Sequence, residues 1–146
     1  MTPAESAMAA AARDNRPRFC NAAKIAVALA ATALPFARSH SEEAERWLRI
    51  LRVHGVVGNA MQSLGLPEDA LVRGTNAAAG EPCQPGALEA VIGAARSHAR
   101  ERGDHAITTE DLLTGVLANY GTAFEHALAV RGTSAAELLE QVAARA

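Results

Sequence analysis

Aromatic side chains are nearly missing from this chain, with three phenylalanines, one tyrosine and one tryptophan among 146 residues. No basic stripe interleaved with aromatics can be drawn in either half, which removes the usual footprint of a nucleic-acid binder. Cysteine is scarce too. Cys20 and Cys83 form neither a CxxC pair nor a zinc spacing, so a disulfide framework is not expected and two reduced thiols are. No sign of charge dominates: 14 basic residues against 16 acidic give a formal net charge of -2, which argues against general attraction to phosphate backbones. The imbalance is local, with nine basic and seven acidic residues in 1–80 but five and nine in 81–146. The apolar run Ile25–Leu34 is too short for a membrane helix, which needs about 20 residues.

What the chain has is alanine. Apolar residues make up 49% of it while aromatics make up 3%. Alanine has the highest helix propensity and lets helices approach closely. The length suits one compact domain, in which folding buries roughly two-thirds of the unfolded surface. An all-α fold is expected.

The second half is the easier to read. Leu88, Val91, Ile92, Ala95 and Ala99 fall on one helical face. Pro85 stands near the start of that helix and Gly103 just past its end. Thr108-Thr109-Glu110-Asp111 predicts a capped helix start, with Leu112, Leu113, Val116 and Leu117 on the buried face and a break at Gly121. Phe124, Ala127 and Leu128 predict a short third helix closed at Gly132. Ser134-Ala-Ala-Glu137 is a capping box ahead of a fourth, with Leu138, Leu139 and Val142 inside.

The first half repeats this plan. Phe19–Val27 parallels Cys83–Val91, Glu43–Leu51 parallels Thr109–Leu117, and Asn59–Gly65 parallels His126–Gly132, with the offset drifting from 64 to 67. Pro67 near Gly65-Leu-Pro-Glu-Asp-Ala-Leu71 predicts the fourth helix of this unit. Two four-helix units of about 60 residues, each too small to cover its own apolar face, should pack as one domain. Residues 1–18 are read as a flexible arm, 19–73 and 82–145 as the two repeats.

The order Pro82–Val91, Thr108–Leu117 and Leu128–Gly132 resembles the second repeat of the Clp N-terminal domain, and Phe19–Val72 resembles a diverged first repeat. The resemblance covers about 19–145. It implies a double Clp N-domain: about eight helices in two pseudo-twofold-related units, binding protein substrates or adaptors of a Clp unfoldase without catalysis or cofactor. Residues 1–146 contain no Gly-x-x-x-x-Gly-Lys-Ser/Thr loop for nucleotide, so the expectation is a stand-alone recognition module without ATPase modules.

In some relatives of that kind the Glu of a Thr-Glu-His run lines a pocket for phosphorylated arginine. Glu110 stands at that place between Thr109 and Asp111, and Ala44, flanked by Glu43 and Glu45, is its first-repeat counterpart. Thr109, Glu110, Asp111, Glu43 and Glu45 are therefore the expected polar rim of a binding groove, with Glu110 set against a guanidinium. Arg46, Arg49 and Arg52 recur every three residues and form a candidate docking surface for an acidic partner. Alternative functions are a decoy that sequesters small molecules aimed at the unfoldase, or a regulatory accessory contacting DNA or a transcription factor.

No histidine pair has metal-ligand spacing, so no metal is expected. Cys83, near a helix start, has no evident general base, and a nucleophilic role is not expected. The expected location is cytoplasmic. The alternative is secretion, with residues 25–37 acting as a signal peptide behind Lys24.

Overall fold

The computed structural model describes residues 18–66 and 82–145. It is predominantly helical, at 76%. A two-residue strand β1 (Arg18–Phe19) leads into α1 (Asn21–Ala33), a 3-10 turn (Leu34–Phe36), α2 (His40–Val53) and α3 (Gly55–Ser63). The second segment carries α4 (Ala87–Glu101), β2 (Ala106–Ile107), α5 (Thr109–Ala129) and α6 (Ala135–Arg145).

Local signals account for most of the boundaries. Ser39 caps α2, its hydroxyl accepting from the Glu42 amide at 3.1 Å. Thr108 caps α5 in a reciprocal box with Asp111. Gly103 and Gly132 take positive φ at the helix ends where the sequence placed closures. Ser134 accepts from the Glu137 amide at the start of α6, while the Glu137 carboxylate accepts from the Thr133 hydroxyl.

Among the described residues there are six helices, not eight. The fourth helix expected from Pro67 onward lies outside the described residues. The expected second and third helices of the second half run on as α5, which is two helical lengths meeting at a non-helical Gly121 (φ 28, ψ -100), where the sequence placed the break. Nor does one sequence offset match both halves: the stretch from cap to glycine is three residues longer from Ser39 to Gly55 than from Thr108 to Gly121. Counted from its cap, Glu110 is the second residue of α5. The same place in α2 is Ser41, not Ala44.

The parallel pairing of β1 with β2 was not legible in the sequence, since two residues show no period. Phe19 stands beside Ile107, and the Cys20 amide donates to the Ile107 carbonyl at 2.9 Å. This ties the start of α1 to the loop ahead of α5.

The core is one cluster drawn from both segments. Trp47 and Phe124 are its largest fully buried side chains, surrounded by Leu48, Leu51, Leu112 and Leu113. Helix α5 packs on α4 and on α2, and α6 packs on α3. The buried face of α1 is Ala23, Ala26 and Ala30, so the run weighed above as a signal peptide is largely this core-packed helix. No helix among the described residues is long and apolar enough to cross a membrane. Leu139, expected inside α6, is exposed, while Leu138 and Val142 are buried.

Close approach replaces bulk in this interior. A Cβ at Gly115 would fall 2.6 Å from the Val91 carbonyl oxygen, where α5 crosses α4. Gly55 (φ 81) sits against Thr109, and a Cβ there would lie 2.7 Å from its hydroxyl. Gly115→Ala should lower stability by about 1–3 kcal/mol, because the obstacle is backbone and the helices must separate. Urea unfolding monitored by circular dichroism measures this.

Candidate functional site

Helix α2 begins between two open recesses, and each recess is walled by both segments. The first has a volume of about 460 Å³ and lies among Ala30, Leu34 and Pro35 on one side and Cys83, Leu88 and Glu89 on the other, with Glu43 also lining it. The second, about 570 Å³, is lined by His40 and Ser41 from the start of α2 and by Asn119, Tyr120, Gly121 and His126 around the kink of α5. A third, about 330 Å³, lies on the α1–α2 face between Leu29, Ile50, Val53, Arg46 and Arg49.

A buried polar cluster separates the first two. The His40 ring stacks on Tyr120 with centroids 4.6 Å apart. Glu43 is 4% exposed, and its Oε1 has no hydrogen-bond partner; neither has the Trp47 indole nitrogen or the Tyr120 hydroxyl. Burial pushes the Glu43 carboxyl above its ordinary range, with His40 and Cys83 offsetting this in part. Burial, reinforced by the charge of Glu43, raises the Tyr120 hydroxyl. The Cys83 thiol is raised by burial and by the charges of Glu43 and Glu42, and its Sγ donates to the Ala37 carbonyl at 3.3 Å. A thiol held in its protonated form is a poor nucleophile.

The expected rim is mostly interior. Thr109 is buried beneath Gly55, and Asp111 is fully buried. Asp111 accepts from the Thr108 amide (2.8 Å) and Arg102 Nε (3.1 Å), and pairs with His98 Nδ1 (2.6 Å). Burial raises its carboxyl, but the Arg102 guanidinium, the Thr108 amide and His98 outweigh that and hold it below the usual carboxylate range. Glu45 is buried against Arg131, which donates through both terminal nitrogens, one at 3.1 Å, and also to the Ala127 carbonyl. Glu110 is partly exposed and lines none of the three recesses.

The arginine stripe is divided among different tasks. Arg46 bonds Glu42 at 2.9 Å, Arg52 donates to the Leu66 carbonyl at 3.1 Å, and Arg49 lines the third recess. Sequence reasoning missed Tyr120, His40 and Arg131. Their neighbours lie far away along the chain, and no spacing rule joins them. Among the described residues no group of three or more His, Cys, Asp or Glu is placed to hold a metal ion.

The chain matches no protein-family model, and a search of curated proteins finds no similar sequence.

Two consequences are measurable. Arg131→Met leaves Glu45 buried and unpaired, and should cost about 3–5 kcal/mol in chemical unfolding; adding Glu45→Met should recover most of it. Glu43 behaves differently. Its carboxyl is raised above the ordinary value of 4.5, so the folded state bears no charge penalty below that pH, and stability falls as pH rises through the folded-state value. Glu43→Gln should therefore melt a few degrees above the wild type at pH 8, with the difference vanishing at pH 4, as followed by thermal denaturation across that range.

Proposed function

We propose that this chain is a non-catalytic protein-binding module of the Clp N-terminal type, in which two diverged helical repeats take up polypeptide in the clefts between them. The observation that carries the reading is the position of the first two recesses. Each is walled by both the 18–66 and the 82–145 segments, and both border the first turn of α2. The clefts are open, and volumes of about 460 and 570 Å³ have room for side chains of an extended segment.

Other features support it. The glycine kink in α5 stands where a boundary between a second and a third helix is expected, and Gly55 divides α2 from α3 in the first segment. Of the groups lining the clefts, Cys83 is held as a protonated thiol, a poor nucleophile. Partners on this reading are client or adaptor chains of a Clp unfoldase, or the unfoldase itself. The nucleic-acid alternative draws less support, since Arg46 and Arg52 are already bonded within the protein.

The test is to fill the clefts. Ala31 and Thr122 are exposed lining residues, one in each recess. Ala31→Trp and Thr122→Trp should each weaken binding of a fluorescein-labelled, chemically unfolded polypeptide at least fivefold by fluorescence anisotropy, with helicity unchanged. Affinity equal to the wild type in both variants would overturn the proposal.

A further inference from the structure

The first recess has a chemical bias that its apolar walls do not explain. Among the described residues two carboxylates line it, Glu43 of α2 and Glu89 in the first turn of α4, and no lysine or arginine does. Glu43 is 4% exposed, and its Oε1 has no hydrogen-bond partner. A buried carboxylate oxygen without a donor costs free energy unless something supplies one. Around it stand Ala30, Leu34, Pro35 and Leu88, which contribute aliphatic surface only.

We infer that this recess binds the unmodified side chain of a lysine or arginine in the bound polypeptide, its aliphatic stem lying along Leu34, Pro35 and Leu88 and its cationic head meeting Glu43. This rests on the polypeptide-binding reading above and adds a specificity to it. The chemistry matches at both ends. Lysine and arginine bury their methylene stems against apolar surface while the charged head seeks a polar partner. A cation at Oε1 supplies the missing donor and makes a charge-assisted hydrogen bond. A phosphorylated side chain is excluded by the same lining, because its oxygens would face two carboxylates with no cation between them. The recess is thus distinct in chemistry from the phosphorylated-arginine role expected at Glu110, a residue that does not line it.

Three 15-residue peptides of otherwise identical alanine- and serine-rich sequence test this, carrying lysine, arginine or norleucine at the centre. Norleucine keeps the stem and lacks the charge. Fluorescence anisotropy on the full chain should give at least tenfold tighter binding of the lysine or the arginine peptide than of the norleucine peptide. Glu43→Gln should abolish the difference while leaving norleucine binding unchanged. Equal affinity for all three peptides, or a preference that persists in Glu43→Gln, overturns the inference and leaves polypeptide binding standing. A second arm separates the two ideas the other way. Trp47 is the single tryptophan and lies four residues beyond Glu43 on α2. Its indole proton resonance should shift saturably with n-butylammonium in the wild type, not with n-butanol, and with neither in Glu43→Gln. That shift without any peptide binding would remove the polypeptide reading and keep the cation site; its absence together with peptide binding failure removes both.

Discussion

The buried pair between Glu45 and Arg131 holds the two segments of this protein in register. Glu45 lies in the middle of α2 and Arg131 just beyond α5, and their side chains are 7% and 2% exposed. Two charges taken out of water must satisfy one another almost completely or the structure cannot keep them. Here the guanidinium spans both carboxylate oxygens and reaches the Ala127 carbonyl as well. The apolar face of α2, with Trp47, Leu48 and Leu51, contributes burial but no directional bond. A directional contact fixes where α2 stops, and therefore where its first turn sits between the two large recesses.

That first turn borders both recesses. Its cap, Ser39, sets the helix start, and its inner face carries Glu43 into the space between α1, the 3-10 turn and the Cys83 loop. The cluster of Glu43, Trp47 and Tyr120 is unusual because it combines deep burial with unmet hydrogen-bonding capacity. A protein interior leaves few such groups; here Glu43 lines the first recess and Tyr120 the second, while Trp47 is fully buried. Asp111 shows the contrast. It is equally buried, yet every oxygen is engaged, and its work is structural.

The sequence made local features plain. Helix starts at Thr108 and Ser134, glycine closures at Gly103 and Gly132, and the kink at Gly121 follow from cap chemistry and from backbone freedom, both of which operate within a few residues. The all-α class followed from alanine content and helical spacing. What could not be read were the distant pairings. Glu45 and Arg131 are 86 residues apart, and nothing around Glu45 distinguishes it from Glu42, which stays near the surface with Arg46. The resemblance to a Thr-Glu-His run sets Glu43, Glu45, Thr109 and Asp111 on the rim of a groove, whereas the structure buries all four. Polarity predicts exposure only on average; a partner, or a site awaiting one, reverses it. Ser41 standing at the cap-counted place of Glu110 has a similar origin, since α2 gained length between its cap and its glycine and alignment by pattern slid past it.

Gly121 divides α5 into two lengths anchored by different neighbours. Asp111 fixes the leading length to Arg102 and the loop after α4, whereas Phe124, Leu128 and the nearby Arg131 join the trailing length to the rest of the core and to α2. An unbroken rod would carry torsion from one anchor to the other. The non-helical backbone at Gly121 interrupts that rod, so each length is seated by its own set of neighbours.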